Sequence, residues 1–392
     1  MTRDPNHLGD CHNFGRRVSL RDGFVAKPRT LLWEWLLLAP ESPLRAKLEE
    51  VGPDMFDFLP SLRFTTHDAR AGGEVERADL SPLSPTIDAT SLAHVTGRAI
   101  ALYTWLGLSD LHWENLVLGE REGRIVLGPL DVEMILDDLE LPTQTKLLPE
   151  ADEDIVDVCR HACGVRRVLP FLGKPIGAEA LVAMVAGYRR ALGLLDRNAP
   201  AIASIFESLP GLADAPIRVL LRGTDEYVRA KAEEVWPPLL DAEQEQLARG
   251  DIPYFFRLYG RSEIRYFSEP SLTESRALPL EGDVPQLEPL LDVSKKLRSP
   301  RRKSLREQGL FALIGAFDHR TLKGRYTYED VAITFRGKTL IAELGRDELE
   351  TERDLGRFVA SVYLPCTCGE TRAVFVPPVT MCNAPSRGAR RL

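Results

Sequence analysis

The chain has 392 residues, of which 44% are hydrophobic and 28% charged, a composition typical of globular proteins and sufficient for two or three domains. Its longest apolar stretch is far short of the roughly 20 residues of a membrane-spanning helix, and the N-terminus lacks the apolar run of a signal peptide, so we expect a cytoplasmic protein with no membrane partner. A formal net charge of -8 argues against nucleic acid as a partner, because that affinity depends on Lys and Arg neutralising phosphates.

Two short strands are predicted near the N-terminus. The segments RRVSL and FVAKP flank an Asp22-Gly23 dipeptide, which is a strong signal for a β-hairpin. Residues 31–51 have apolar side chains at helical spacing with a break that begins at Pro40, whereas residues 65–86 are polar and rich in Gly and Pro. We therefore expect a hairpin, two helical segments and then a surface loop.

A polar loop follows between a predicted helix and a predicted hairpin. Residues 91–106 have helical spacing, SDLHWENLVLG has the composition of a loop, and RIVLGPLDVEM is an apolar strand pattern. Loops held by such elements frequently carry chemistry. Further along the chain, helices are predicted for residues 176–195, 199–208, 212–249 and 304–316.

The segment from residue 319 to the C-terminus has a different pattern. Strand-like runs, YTYEDVAITFRG and TLIAEL, precede a helical pattern, ETERDLGRFVASVYL, and the chain ends in SRGARRL, which we expect to be disordered. We predict a small α/β extension here, with no motif to which a function can be assigned.

The strongest chemical signal is the segment DLHWEN, which begins at Asp110, reaches Asn115 five residues later and is followed across a predicted hairpin by Asp131. Phosphoryl transfer from ATP requires a carboxylate to orient the attacking hydroxyl and oxygen ligands for the Mg²⁺ that bridges the phosphates. Kinase-like folds supply these groups in this order, so the pattern favours a kinase-type site over a solvent-exposed loop. The site also needs a cation for the phosphates, and Lys27 is the candidate because it lies on a strand upstream of the loop, although a lysine at a strand end is more often simply exposed.

Six short motifs occur in one order: GDCHNFGRRVSL, FVAKPR, SDLHWENLV, PLDVEM, IRVLLRGTDEY and GDIPYF. In this order they resemble the dehydratase domain of class II lanthipeptide synthetases, from Gly9 to about Phe317. Proteins of that family phosphorylate Ser and Thr of a precursor peptide and then eliminate the phosphate to give dehydroalanine and dehydrobutyrine. The resemblance implies an α+β, bilobal protein- or lipid-kinase-like fold, with a small β-containing N-lobe (1–88), a helix-rich C-lobe (89–318) and the extension of unknown role (319–392).

The resemblance also implies which residues serve phosphorylation. The Lys of the family's KPR strand contacts the nucleotide phosphates, which corresponds to Lys27. Asp110, His112 and Asn115 match the residues of its DLHxEN loop that serve phosphoryl transfer and metal binding, and Asp131 matches its metal-binding Asp. ATP and Mg²⁺ are therefore the implied cofactors.

A second set of residues is implied for phosphate elimination: Asp10 and His12 of the first motif, with Arg218 and Thr224 of the fifth. Elimination needs a base for the α-proton, a group that stabilises the developing enolate-like charge, and cations that hold the departing phosphate. Arg218 can bind phosphate through two parallel hydrogen bonds, and Thr224 can donate one. Which residue takes the proton is left open.

Two departures from the family qualify this interpretation. Only eight residues precede Gly9, whereas the family's dehydratase domain has a substantial region before this motif, so we expect any leader-peptide or activation function of that region to come from a partner or to be absent. After residue 319 there is no Cys-His-Gly segment that would bind the zinc of the family's cyclase. We therefore expect no thioether ring formation by this chain, with the precursor peptide, and a separate cyclase, as partners.

Two other functions remain open. The chain could be a kinase of a peptide or a small molecule, as in the aminoglycoside-phosphotransferase type of kinase-like fold, but such an enzyme has no reason to carry the elimination set. It could also be a non-catalytic scaffold that binds a precursor peptide or a synthetase. The intact catalytic positions argue against a scaffold.

Overall fold

A computed structural model of the chain describes residues 7–65, 72–139, 141–149, 163–173, 176–233, 239–279, 305, 309–310, 312–317, 321–336, 339–344 and 357–361. Within these residues the protein is mixed α+β, with small antiparallel sheets and helices, so the α+β part of the predicted fold class is confirmed. The tail SRGARRL lies outside the described residues. The helix expected at 304–316 is described only in part, and its described residues 305, 309–310 and 312–315 are helical.

Four antiparallel strands form the first sheet, in the order β1–β2–β3–β4: His7–His12, Arg16–Arg21, Phe24–Lys27 and Gly73–Glu76. The predicted hairpin is confirmed, because Arg21 pairs with Phe24. Asp22 and Gly23 both have positive φ, 41° and 84°, as a two-residue turn of this type requires. The turn is followed directly by β3, and Lys27 is the last residue of that strand.

The surface loop expected at 65–86 is wrong at its centre, where β4 pairs with β3. Val75 is the only apolar residue of this four-residue strand, and a single buried side chain between two glutamates gives no detectable alternation. The pairing depends on Gly72, since a Cβ at this position would lie 2.5 Å from the carbonyl oxygen of Lys27.

Helices α1 (Leu32–Leu38) and α2 (Pro43–Val51) follow the first hairpin, as predicted. Ser42 defines the break between them. Its Oγ accepts a hydrogen bond from the backbone N–H of Arg45 (3.1 Å), which caps α2, and its hydroxyl donates to the carbonyl of Leu36 (2.6 Å). The break therefore holds α1 in a fixed direction.

The central helices are α3 (Ala89–Leu106) and α5 (Ala178–Arg197), with the short α4 (Leu169–Leu172) before α5 and α6 (Ala199–Ser208) after it. The helices predicted at 91–106, 176–195 and 199–208 are thus confirmed. The backbones of α3 and α5 are in direct contact, because a Cβ on Gly97 would lie 1.9 Å from the carbonyl oxygen of Met184. α3 ends at Gly107, which has a φ of 67°, and the polar loop begins there.

A hairpin of β5 (Leu116–Arg121) and β6 (Arg124–Pro129) follows the loop, and a third sheet has the order β10–β9–β8–β7. Its strands are β7 (Pro216–Val219), β8 (Phe255–Leu258), β9 (Arg265–Phe267) and β10 (Ser275–Ala277). Helices α7 (Thr224–Glu233) and α8 (Asp241–Ala248) lie between β7 and β8 in the sequence. The prediction of helix throughout 212–249 is wrong at β7. The four residues of β7 are too few for their period to be distinguished from that of the flanking helices.

The C-terminal strands, β11 (Lys323–Tyr328), β12 (Val331–Arg336), β13 (Thr339–Leu344) and β14 (Arg357–Ser361), form an antiparallel meander. The helix predicted at 350–364 is therefore wrong at 357–361, which pair with β13. Apolar residues of β12 and β13 belong to the same hydrophobic core as α3 and α5. The described part of the extension thus packs on the helical region.

Among the described residues, no helix combines the length and the apolar character that crossing a membrane requires.

Candidate functional site

Lys27 lies at the end of β3, facing helix α1. Its Nζ donates to Oε1 and Oε2 of Glu34 (2.8 and 3.0 Å) and to the carbonyl oxygen of Leu130 (2.5 Å). Both charged side chains are almost completely buried, with exposed fractions of 6% for Lys27 and 1% for Glu34. The predicted nucleotide-binding lysine is therefore held by a carboxylate and oriented toward the chain just before Asp131.

Arg29 extends this ion pair into a network. Its Nη2 donates to Glu34 and to Asp131, and its Nε lies 2.7 Å from Oε1 of Glu133. Burial disfavours ionisation of Asp131, but the positive charges of Arg29 and Lys27 outweigh it and lower the pKa of this carboxyl. Asp131 is consequently ionised at neutral pH and directly connected to the Lys27 side of the site.

The polar loop brings Asp110, Asn115 and Asp131 together. Asp110 has a φ of 60°, and the Nδ2 of Asn115 donates to the carbonyl oxygen of Asp110 (2.9 Å). The backbone N–H of Leu130 donates to the carbonyl oxygen of Asn115 (2.8 Å), which places Asp131 immediately beside the loop. Asp131 lies just after the end of β6 at Pro129, and not at the end of a longer strand as the sequence pattern suggested.

Lys146 contacts the same loop from another part of the chain. Its Nζ lies 2.8 Å from Oδ1 of Asp110, and 45% of the Lys146 side chain is exposed against 25% of Asp110. The pair is therefore accessible to solvent, in contrast to Lys27 and Glu34.

His112 has a local structural contact. It precedes a 3-10 turn, Trp113–Asn115, and its Nδ1 accepts a hydrogen bond from the backbone N–H of Glu114 (3.3 Å). Its backbone also forms a β-bridge with Cys163. These contacts shape the loop that holds Asp110 and Asn115, and among the described residues no hydrogen bond or ion pair joins His112 to Asp131.

His12 and Arg218 of the predicted elimination set both contact the ring of Tyr254. The His12 ring is 5.8 Å from the Tyr254 ring, edge to face, and the Arg218 guanidinium lies over the same ring at 5.3 Å. His12 Nδ1 lies 2.7 Å from the carbonyl oxygen of Ile252, so Nδ1 carries the proton in the neutral ring. Burial, reinforced by the charge of Arg218, lowers the pKa of His12 to about 4, which keeps this ring neutral at pH 7.

Glu133 joins the two predicted sets. Its Oε1 is 2.7 Å from Nε of Arg29 and 3.5 Å from Nη1 of Arg218, and its carbonyl oxygen accepts from the backbone N–H of Arg218 (2.9 Å). Burial raises the pKa of Glu133, and the negative charge of Asp131 adds to that rise. The positive charge of Arg29 acts in the opposite direction but does not outweigh them. The network therefore runs from Lys27 through Arg29 and Glu133 to Arg218.

Asp251 anchors the N-terminal hairpin to the rest of the site. Its fully buried carboxylate accepts hydrogen bonds from the backbone N–H groups of Phe14 (2.7 Å) and Gly15 (2.9 Å) and from Nε of Arg249 (2.7 Å). The backbone N–H of Ile252 donates to the carbonyl of Cys11 (2.7 Å). The first and last motifs, GDCHN and GDIPYF, therefore contact each other, which fixes the position of His12.

Asp10 and Thr224 are less closely connected to this network. Asp10 is exposed on β1, and its negative charge acts on His12 in the direction that favours protonation. Thr224 is the first residue of α7 and is partly exposed. In the part of the chain that the structure describes, no hydrogen bond joins Thr224 to Arg218.

Several residues of this site were not singled out from the sequence. Most of them lie inside the quoted motifs, where their neighbours could have indicated them: Arg29, Glu133, Asp251 and Tyr254. Glu34 and Lys146 lie outside the motifs. A single acid within an apolar helix is a detectable signal for Glu34, whereas Lys146 carried none.

The residues fit a Mg²⁺–nucleotide pair. Mg²⁺ takes oxygen ligands and is usually held by one or two carboxylates together with substrate phosphates. Asp131 supplies a carboxylate that is 32% exposed, and the Nδ2 contact of Asn115 with Asp110 directs the other amide atom, Oδ1, away from that carbonyl. Within the described residues, no group of three His, Cys, Asp or Glu side chains is placed to hold a metal by itself, so a metal here would depend on the nucleotide for further ligands.

Comparison of the chain with protein-family models gave no match, and comparison with curated proteins gave none either. The function is therefore inferred from the residues of this chain and their geometry.

Proposed function

We propose that this protein is a kinase-like, bilobal dehydratase of the lanthipeptide type, which phosphorylates Ser and Thr of a precursor peptide with ATP and Mg²⁺ in the cytoplasm and then eliminates the phosphate. The observation that carries the proposal is the single charged network of Lys27, Glu34, Arg29, Asp131, Glu133 and Arg218. Its members come from three of the six motifs and from α1. Unrelated surface motifs would not form one connected set of buried charges, because isolated buried charges are costly.

Phosphorylation is assigned to the Lys27 side of the network. The oxygen of the substrate hydroxyl attacks the γ-phosphorus of ATP, and Asp110 accepts the proton of that hydroxyl. The bond from the γ-phosphorus to the bridging oxygen breaks, and ADP leaves. Asn115 and Asp131 would hold Mg²⁺, which would neutralise charge on the phosphates. Lys27 binds the phosphates by exchanging the Leu130 carbonyl for phosphate oxygens, while Glu34 keeps its ammonium group in position.

Elimination is assigned to the Arg218 side. A base removes the α-proton of the phosphorylated residue, the electron pair forms the double bond between Cα and Cβ, and phosphate leaves with the electrons of the broken C–O bond. His12 keeps an unprotonated Nε2 that can accept a hydrogen bond, because its Nδ1 proton is directed to Ile252. Its pKa of about 4 makes this atom a weak base, so the residue that takes the α-proton is left open. Arg218 holds the departing phosphate, with Asp10 and Thr224 at the edge of this region.

A peptide kinase that stops at phosphorylation is the second candidate. One observation favours it: in the described residues Thr224 has no hydrogen bond to Arg218, so the elimination set is less tightly assembled than the phosphorylation set. The two candidates make different products from the same peptide.

The test uses a candidate precursor peptide encoded beside the protein, incubated with the protein, ATP and Mg²⁺ and analysed by mass spectrometry. A dehydratase produces peptides that have lost one water for each modified residue. A kinase produces peptides that carry added phosphoryl groups, and unmodified peptide with no binding of MgATP would identify a scaffold. Omission of ATP is the control, since dehydration that persists without it would contradict a phosphorylated intermediate.

A further inference from the structure

Lys146 lies outside every quoted motif, yet it contacts Asp110 directly. Its Nζ is 2.8 Å from Oδ1 of Asp110, which is the distance of a charge-assisted hydrogen bond. Surface ion pairs usually contribute little to stability, so the contact would have no significance if both side chains were freely mobile.

The backbone on both sides of Lys146 is held by hydrogen bonds. Thr145 is fully buried, its hydroxyl donates to the carbonyl of Pro142 (2.6 Å), and its own carbonyl accepts from the backbone N–H of Leu111 (2.9 Å). The carbonyl oxygen of Lys146 accepts from the backbone N–H of Gly164 (2.9 Å). The segment is thus tied to the residue that follows Asp110 and to a second segment beyond it.

Both members of the pair have left-handed backbone conformations. Lys146 has a φ of 62° and Asp110 a φ of 60°, values that non-glycine residues adopt uncommonly. Residues held in such conformations persist where the surrounding structure specifies them, and they concentrate at functional sites. Two of them facing each other indicate a contact that the fold maintains.

We propose that Lys146 is a positioning residue for phosphoryl transfer, which acts through Asp110. The ion pair at Oδ1 fixes the rotation of the Asp110 carboxylate, so that its second oxygen is directed to the substrate hydroxyl. The buried Lys27 cannot take this part, because Glu34 holds its Nζ beside Leu130, on the side assigned to the nucleotide. This inference rests on the proposed function, and it assigns Lys146 to phosphorylation and not to elimination.

The test compares Lys146→Met, which keeps the stem and removes the charge, with Lys146→Arg, which keeps the charge. Lys47→Met is the matched control, because Lys47 pairs with Glu50 on α2, outside the site. For Lys146→Met we expect the rate of peptide phosphorylation to fall about 10- to 100-fold, since a misplacement of a catalytic group by about 1 Å can cost about 100-fold. Lys146→Arg should recover most of the rate, and the KM for ATP should not change in either variant.

Two further measurements separate positioning from general damage. Elimination from a chemically synthesised phosphoserine form of the precursor should proceed at the wild-type rate in Lys146→Met. In an Asp110→Asn background, Lys146→Met should cause no additional loss, because residues that act as a unit are not additive. An equal loss in that background, a raised KM for ATP or a loss shared with elimination would overturn the positioning role. If the wild type phosphorylates the peptide and Lys146→Met is equally active, this inference alone is refuted. If the wild type does not phosphorylate the peptide, the proposed function is refuted and the inference with it.

Discussion

The loop that holds Asp110 and the network around Arg29 are adjacent, but different forces hold them. Asp110 and Lys146 have 25% and 45% of their side chains exposed, and backbone hydrogen bonds position them. Glu34 and Arg29 are 1% and 9% exposed, and their positions depend on opposite charges. Substitutions that remove a charge from the loop should therefore cost little folding stability, whereas substitutions that remove a charge from the network should cost much more.

This difference separates the residues whose substitution should affect catalysis from those whose substitution should affect stability. Removing one partner of a buried ion pair leaves an uncompensated charge and costs about 3–5 kcal/mol, while exposed pairs contribute about 0–1 kcal/mol. Variants of the network should therefore be impaired in folding before they are impaired in chemistry. Variants of the loop should fold normally.

The largest effect on stability is expected for Glu34→Gln. This change leaves Lys27 and Arg29 without their shared carboxylate, and the free energy of unfolding should fall by about 3–5 kcal/mol in urea titrations. The control is Glu50→Gln, which removes the partly exposed pair with Lys47 and should cost less than about 1 kcal/mol. Equal losses in the two variants would mean that the buried network does not stabilise the fold.

A smaller loss is expected for Asp251→Asn. An amide retains one acceptor oxygen, so the N–H groups of Phe14 and Gly15 and the Arg249 guanidinium can no longer all be satisfied, and stability should fall by about 1.5–3 kcal/mol. The exposed Asp79→Asn is the control. Elimination should decline more than phosphorylation, because the hairpin that carries His12 is loosened. Unchanged stability would show that the first and last motifs do not depend on this carboxylate.

The effect that is smallest at neutral pH is a pH dependence of stability that arises from His12. Burial and the Arg218 charge lower its pKa in the folded protein to about 4 from the ordinary value of 6.5. Between these values the unfolded chain binds more protons, so stability is retained above pH 6.5 and declines as the pH falls toward 4. Urea midpoints measured across this window should fall less steeply for His12→Asn than for the wild type.

His94 gives an internal comparison for that experiment. Its burial, with the charge of Arg98, also lowers its pKa to about 4, so His94→Asn should flatten the same profile and the double variant should flatten it most. If each single variant retains the full wild-type slope, neither histidine is held neutral by the fold.

The sequence predicted the elements whose signals are local. The Asp22-Gly23 turn and the long apolar repeat of α3 each contain enough residues to specify their own conformation. β4, β7 and β14 were missed because each has four or five residues and forms only by pairing with a distant strand, as β4 does with β3. Such pairing is a property of the fold and not of the segment.

The site follows the same division. Lys27, Asp110, Asn115 and Asp131 were named from motif order, and the structure brings them together. Glu34 and Lys146 contact these residues across the fold, and nothing in the local sequence of Lys146 distinguishes it from other lysines. Ion-pair partners of catalytic groups are therefore the part of a site that a single sequence predicts least well.

The central claim is that one connected site performs two steps with separate groups. The most direct test gives Asp110→Asn and Arg218→Lys both the unmodified precursor and its synthetic phosphoserine form, with mass spectrometry of each product. Asp110→Asn should lose phosphorylation by about 10²–10⁴-fold yet dehydrate the phosphopeptide at the wild-type rate, whereas Arg218→Lys, which keeps the charge beside Glu133, should phosphorylate the precursor and accumulate the phosphopeptide. Loss of both steps in both variants, or full dehydration by Arg218→Lys, would contradict a division of labour between the two sets of residues.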